Sequence, residues 1–506
     1  MFYEFTLGPF RRAYIISPLT TALLSGIIAA FTQPPTFYFW ALIGFTSLVY
    51  LVYSSPTLKE ALKRNCLFSL GYFGYGFYWT AIAISTYIEE FWWAIPIAFM
   101  GLPLIFTLFT SLLTIAAWKS RKNKHYIMIY TILWVLIEWL TSFVFTGLPW
   151  MMVGHVSGYT DISAQLVSMA GILGASFVFF NITATFFYIF EDGAKVKTCD
   201  FVYAAILIAG IILYGIWRLN SYDAPLSDTR IRLVQPSIKQ GDKWNYQLFW
   251  DNLARHRDLT LLNAQFKPDI VIWSEAAIMA PYQIPQVRDF LNEVANDSGA
   301  RIITGAVSKK DSKYFTSMIG ISREQGLLFE YNKQHLVPFG EYVPLSNWLP
   351  VKKLTPGASD YAAGEGEKVF EVDSIKIRPL ICYESIFFDE IRGREADLYI
   401  NITNASWYGN SNAPYHLFYS NKFRAIENST PVIVAANNGI SGAFDSLGRE
   451  IAKTGLNDIT SLDLRLPRKI QAFSPYSLLG LRVILGIVLF LHLTRILVTK
   501  CYDKRS

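Results

Sequence analysis

The sequence predicts an α-helical membrane bundle of about eight transmembrane helices carrying one extracytoplasmic α/β domain. Three observations predict it: apolar runs of about twenty residues, one long stretch of ordinary globular composition, and Lys and Arg residues confined to alternate connections. Of the 506 residues, 52% are hydrophobic and only 17% charged, a balance that suits a bilayer better than water.

The apolar runs cover Ile15 to Phe31, Phe37 to Tyr53, Cys66 to Tyr87, Trp92 to Trp118, Tyr126 to Phe145, Ala164 to Phe190, Phe201 to Trp217 and Tyr476 to Val498. Each is long enough to cross a hydrocarbon core of about 30 Å as a helix. Leu219 to Ser474 contains no such run. The expected organisation is a membrane domain at 1–218 with seven helices, a soluble domain at 219–474, and an eighth helix with a tail at 475–506.

Orientation follows from the short connections, because positive charge near helix ends stays cytoplasmic. Arg11 and Arg12, then Lys59, Lys63 and Arg64, then Lys119, Arg121, Lys122 and Lys124, then Lys195 and Lys197, and finally Lys500, Lys504 and Arg505 mark one side. The alternate connections, Thr32 to Thr36, Ile88 to Phe91 and Leu148 to Ile162, hold no Lys or Arg. Both termini are therefore expected in the cytoplasm and the soluble domain on the opposite face. The net charge of +6 is a topology signal, with no basic patch or motif of a nucleic-acid binder. Ile15 to Phe31 is followed by Gln33, Pro34 and Pro35 without a small-residue cleavage site, so the first helix is expected to stay.

Cys66, Cys199 and Cys501 fall at cytoplasmic helix ends, which leaves Cys382 as the one cysteine of the soluble domain. A lone thiol there is either a buried structural residue or one kept for its chemistry.

In the soluble domain, β-branched runs alternate with amphipathic stretches. Strands are expected at Ile231 to Gln235, Ile270 to Trp273, Ile302 to Val307, Met318 to Ile321, Ile377 to Ile381, Leu398 to Ile402 and Val432 to Ala435. Helices are expected at Tyr246 to Gln265, Ile284 to Asn296 and Tyr415 to Asn428. Gly305 and Gly320 read as turn glycines. Two apolar loops, Leu345 to Lys353 and Ile278 to Ile284, fit either a membrane interface or simple packing on the domain.

Strand ends are where open α/β sheets place their sites, and three carry chemistry: Glu275 after Val271-Ile272-Trp273-Ser274, Lys333 before Leu336 to Glu341, and Cys382 before Tyr383-Glu384. A thiol with a free pKa of about 8.5 needs a neighbouring base or cation to become a ready nucleophile. Glu275 would take its proton, and Lys333 would stabilise the thiolate and the oxyanion formed on a carbonyl. Singly, each has a plain reading as a helix cap, a surface cation or a small core hydrophobe. The six histidines show no HExxH or paired spacing, so no metal is expected, and His335 reads as packing. No GxSxG or P-loop occurs, which argues against a serine hydrolase or an NTPase. Glu138, inside an apolar run, is either functional or an interhelical hydrogen-bond partner.

Glu275, Lys333 and Cys382, in that order, resemble the catalytic set of the nitrilase superfamily. A domain of that kind inserted before the last membrane helix resembles its membrane-embedded branch, the apolipoprotein N-acyltransferases, over nearly the whole chain. Phe145-Thr146-Gly147-Leu148-Pro149-Trp150 is similar to that family's Thr-Gly-Phe-Pro-Trp motif, and Leu336 to Glu341, Cys382 to Glu384 and Asn437-Asn438-Gly439 extend the likeness. Ser274 stands where the family has Pro, and Thr141 and Ser142 follow Glu138-Trp139 where it often has Arg.

The resemblance implies an α-β-β-α sandwich, with Glu341 assisting the catalytic set, Tyr383 and Glu384 supporting the nucleophile, and Trp244 and Trp407 lining a lipid-binding region. It also implies acyl transfer in two halves: from a phospholipid, phosphatidylethanolamine by expectation, onto Cys382 as a thioester, then to the α-amino group of a diacylglyceryl-cysteine on an apolipoprotein. No cofactor is implied, and the chain is expected to be a monomer in the bacterial inner membrane with its soluble domain in the periplasm. The alternatives on these residues are a membrane-tethered nitrilase or amidase, and a non-catalytic binding or scaffold protein.

Overall fold

In a computed structural model, residues 17–187 and 198–503 are described, apart from 264, 347, 349–352, 356–359 and 367. The basic residues Arg11, Arg12, Lys195, Lys197, Lys504 and Arg505, and the Leu349 to Lys352 part of the apolar loop, lie outside the described residues. The chain divides into two compact units, one of 1–80, 96–221 and 478–506, the other of 81–95 and 222–477.

The first unit is helical. By length and composition, Ile88–Lys119, which starts in the second unit's 81–95, Leu166–Thr185 and Asp200–Ser221 can cross a membrane; Pro18–Ala30, Phe39–Tyr53 and Tyr126–Leu140 are shorter apolar helices. The expected run from Cys66 instead belongs to a helix that begins at Leu58, because the Thr57 side chain caps it by accepting the Glu60 N–H at 3.3 Å. Lys59, Lys63 and Arg64 thus form its first turns and not a loop.

Small residues let these helices meet closely. A Cβ on Gly26 would lie 2.0 Å from the Phe68 carbonyl oxygen, and one on Gly71 2.5 Å from that of Leu23. Phe145, Thr146 and Gly147 all have positive φ, and a Cβ on Gly147 would lie 2.1 Å from the Ser142 oxygen, so the turn there requires glycine. Glu138 accepts hydrogen bonds from Trp134 Nε1 at 3.0 Å and from the Val153 N–H at 2.8 Å. The first of these donors lies on its own helix and the second is a backbone group of the turn Val153–Tyr159.

The second unit holds two sheets. One contains β1 (Leu226–Gln235), β2 (Ile270–Ile272), β3 (Ile278–Pro281), β4 (Arg301–Lys310), β5 (Lys313–Ser322), β6 (Gly326–Asn332) and β13 (Thr460–Pro467), in the order β13-β1-β2-β4-β5-β6, with β3 beside β4. The other contains β7 (Phe370–Val372), β8 (Ile375–Ile381), β9 (Leu398–Thr403), β10 (Val432–Ala436), β11 (Gly442–Phe444) and β12 (Glu450–Lys453), in the order β12-β11-β10-β9-β8-β7. Strands β1 and β10, and β5 and β8, meet across the sheets. Helices Phe249–Leu261 and Pro285–Ser298 share a core with the first sheet through Leu253, Leu291 and Trp273, and helix Ala413–Asn428 shares one with the second through Phe418 and Ala425. The layers are helix, sheet, sheet, helix.

Two glycine readings need correction. Gly305 lies in β4 and Gly320 in β5, neither in a turn. A Cβ on Gly320 would sit 2.5 Å from the Phe329 ring. The stretch from Ile278, expected as a loop, opens as the short strand β3.

Candidate active site

Glu275 follows β2, Lys333 follows β6 and Cys382 follows β8, so three strand ends of the two sheets deliver the three groups. Parallel pairing of β2 with β4 aligns Ile272 with Ile303, and two residues on Gly305 leaves room for the Glu275 backbone. A Cβ on Gly305 would be 2.7 Å from the Glu275 Cα.

Lys333 is buried, with Nζ 3.3 Å from Glu275 Oε1 and 3.0 Å from Glu341 Oε2. Burial alone would push the ammonium's pKa down, but Glu341 and Glu275 hold it well above the usual lysine value. Each carboxylate is also fixed elsewhere. Glu341 accepts the Thr316 hydroxyl at 3.0 Å and the Val337 N–H at 2.8 Å, and Glu275 Oε2 accepts the Asn404 N–H at 2.9 Å.

The Cys382 thiol is buried, with the Glu275 carboxylate and the Lys333 ammonium within electrostatic reach. Burial, reinforced by Glu275 and only partly offset by Lys333, raises its pKa far above the usual thiol value. Burial thus favours the neutral thiol, so attack needs a base to take its proton, the part the sequence reading gave Glu275. Charge count acts in the same direction: one ammonium already faces two carboxylates, and a thiolate would add a second uncompensated negative charge.

Cys382 has φ of 57°, a left-handed conformation costing about 1 kcal/mol in a non-glycine residue. Glu384 holds that turn. Its buried carboxylate accepts the N–H groups of Ile381 at 2.7 Å, Gln334 at 2.8 Å and His335 at 3.1 Å, and the Tyr331 hydroxyl at 3.0 Å. Tyr383 donates its hydroxyl to the Leu336 carbonyl at 2.7 Å, and its ring centroid lies 5.6 Å from Lys333 Nζ. His335 packs as expected, stacked on Phe387 with ring centroids 3.7 Å apart.

Trp244 and Trp407 are half-buried at two short helical turns, Gln240–Lys243 and Ala405–Tyr408; Trp407 packs on Tyr87 at 5.9 Å. Asn437 joins the second turn, donating to the Ile238 carbonyl at 2.7 Å and to Asn404 Oδ1 at 3.2 Å.

Sequence reasoning passed over Lys243, Asn404 and Tyr408. Lys243 is buried and donates to the carbonyls of Glu275 and Ala276, both at 3.2 Å; burial lowers its pKa to about 7, against the pull of Glu275. It braces the backbone where Ala276 takes φ of 54°. Its signal was its place beside Trp244. Asn404 and Tyr408 flank Trp407 in a polar, turn-forming stretch, but nothing local to them says that they face Glu275 and Cys382. Among the described residues no cluster of His, Cys, Asp and Glu could hold a metal ion.

Residues 230–466 match the carbon-nitrogen hydrolase family, and residues 25–185 match the apolipoprotein N-acyltransferase N-terminal domain. A solved CN-hydrolase superfamily protein from Xanthomonas campestris is 21% identical, over 48% of this chain and 91% of its own, with a TM-score of 0.36. An apolipoprotein N-acyltransferase of Allorhizobium ampelinum is 32% identical over 89% of each chain. One of Rickettsia bellii is 41% identical over 96% of this chain and 98% of its own length. The chain belongs to the apolipoprotein N-acyltransferase family.

Proposed function

We propose that this acyltransferase works by a ping-pong mechanism on Glu275, Lys333 and Cys382. The observation that carries the reading is a buried ammonium held between two carboxylates, within electrostatic reach of the buried thiol.

In the first half, Glu275 takes the thiol proton as sulfur attacks the ester carbonyl of a phospholipid. The site's net charge does not change, since the negative charge moves from carboxylate to sulfur and then to the carbonyl oxygen. Lys333, locked by Glu341, faces it throughout. The ester C–O bond breaks, the proton on Glu275 passes to the departing alkoxide, and a lysophospholipid leaves behind a thioester. In the second half, the α-amino group of a diacylglyceryl-cysteine attacks the thioester and gives its proton to Glu275. The C–S bond breaks, an amide forms, and the proton returns to sulfur. A thioester suits both halves, being readily made from the thiol and reactive toward amines.

Phosphatidylethanolamine is our proposed donor, an apolipoprotein our proposed acceptor and a monomer our proposed working form. Trp244 and Trp407 are assigned to the lipid-binding region. Topologically, we place the chain in the bacterial inner membrane with eight spans, seven within 1–218 and one within 475–506, both termini cytoplasmic and 219–474 periplasmic. The one-sided distribution of Lys and Arg supports this.

The test is mass spectrometry of the purified full chain incubated with phosphatidylethanolamine. An acyl adduct on the Cys382 peptide that transfers to a diacylglyceryl peptide is expected. Acyl transfer that persists in Cys382→Ala overturns the reading.

A further inference from the structure

The backbone that carries the proposed base bends sharply just after it. Ala276 has φ of 54°, in the left-handed region that a non-glycine residue enters only at a cost. Along an extended strand successive carbonyls point to opposite sides. Here the bend brings those of Glu275 and Ala276 to a single donor, Lys243 Nζ, at 3.2 Å each. Lys243 is 4% exposed and, among the described residues, makes no salt bridge. An ammonium buried without an ion pair is a costly way to fill space, and both hydrogen bonds it makes go to the backbone of Glu275 and its neighbour.

The same short helix, Gln240–Lys243, reaches the other end of Glu275. Asn404 Nδ2 donates to Gln240 Oε1 at 2.9 Å, and the Asn404 N–H donates to Glu275 Oε2 at 2.9 Å. One helical turn therefore grips the base at its carbonyl directly and at its carboxylate through Asn404.

We propose that Lys243 is a positioning residue for acyl transfer, which holds the Glu275–Ala276 turn closed so that the Glu275 carboxylate stays against Lys333 and in reach of the Cys382 proton. The proposal rests on the Glu275 and Cys382 reading above and deepens it. The carboxylate lies at the end of a flexible stem, so a small rotation of the peptide is magnified at its oxygens, and a displacement of about 1 Å is enough to slow a reaction by about a hundredfold. Lys243 hydrogen-bonds backbone alone, so it acts on the chemistry through Glu275, and does so in both halves of the reaction. Charged or neutral, the amine has two N–H groups to give, so the brace holds on either side of its pKa of about 7.

The test compares Lys243→Met, which keeps the stem and removes the donors, with the double variant Lys243→Met/Ala276→Gly, both in the full chain in detergent. Single-turnover rates are read for Cys382 acylation at saturating phosphatidylethanolamine and for discharge to a diacylglyceryl peptide, together with KM for the donor and the thermal midpoint. At a temperature where it is folded, Lys243→Met is expected to slow both steps by about ten- to a hundredfold with KM unchanged. Glycine enters the left-handed region without strain, so adding Ala276→Gly should return about tenfold of that loss. A lysine that serves folding alone would lower the midpoint and leave the rates of the folded protein as they were. A change confined to the midpoint or to KM overturns the proposal, as does a slowed variant that glycine fails to recover. Should Lys243→Met not fold, the double variant must both fold and load Cys382 within about a hundredfold of the wild-type rate, and failure in either overturns the proposal. The Cys382 reading falls on a different result, acyl transfer that persists in Cys382→Ala.

Discussion

Glu384 and Gln334 are joined by a 2.8 Å hydrogen bond from the Gln334 backbone N–H to the Glu384 carboxylate, and that bond ties the nucleophile's turn to the strand end bearing the lysine. The same carboxylate takes the His335 and Ile381 N–H groups, so one buried side chain registers Lys333 against Cys382. Burial raises its pKa, while these backbone donors and the nearby Lys333 ammonium oppose the rise.

Glu384→Gln should therefore damage both stability and chemistry. An amide turned to accept from Ile381 presents an NH2 group to the Gln334 side of the cluster, leaving buried donors unpaired at about 2–3 kcal/mol. A lowered thermal midpoint is expected, with acyl loading of Cys382 reduced by at least tenfold. Loading at the normal rate in a destabilised variant would show that the clamp serves folding alone.

Lys333→Met leaves Glu275 and Glu341 buried without their common counter-ion, a loss of about 3–5 kcal/mol. Lys333→Arg keeps the charge but not the compact ammonium that sits 3.3 Å and 3.0 Å from its two partners. Both variants should lose activity by a thousandfold or more in a labelled acyl-transfer assay, with only the methionine strongly destabilised. Glu341→Gln should fall between them and wild type, because Val337 and Thr316 still hold the side chain.

How much of this was legible depended on range. The long apolar runs and the strands leading to Glu275 and Cys382 are local patterns, and β1, β2, β4, β5, β8, β9 and β10 appear close to where periodicity put them. Short strands such as β3 and β11 have too few residues for alternation to register, and they exist because β4 and β10 offer open edges. Glu275, Lys333 and Cys382 stood out through a family pattern. Lys243 did not, because its meaning lies in bonds to the Glu275 and Ala276 carbonyls, more than twenty positions away.

Gly305→Ala should act as a probe of Glu275 placement. The new Cβ would lie 2.7 Å from the Glu275 Cα and 2.8 Å from the Ala276 nitrogen, all backbone that cannot give cheaply. The base should be pushed off the thiol, with acyl transfer down at least a hundredfold and stability down by about 1–3 kcal/mol. Circular dichroism would check that the sheet survives. A variant with normal transfer would mean that β2 and β4 can separate without disturbing the site.

His256 offers a pH test away from the chemistry. It is buried beside Trp273, with ring centroids 4.8 Å apart; Nδ1 is 2.8 Å from the Asn252 carbonyl and therefore carries the proton. Nε2 is buried with no hydrogen-bond partner among the described residues, and burial lowers the pKa from 6.5 to about 3. The folded value lies below the unfolded one, so between these pH values the unfolded chain binds the proton and the folded chain does not. Stability from this group is complete above pH 6.5 and drains away as pH falls toward 3, by up to about 5 kcal/mol. His256→Phe, which keeps a ring against Trp273, should flatten that part of the acid-denaturation curve while leaving the midpoint near pH 8 within a few degrees of wild type. If the two proteins lose stability in parallel from pH 6.5 to 3, the neutral buried imidazole is not what makes this unit acid-sensitive.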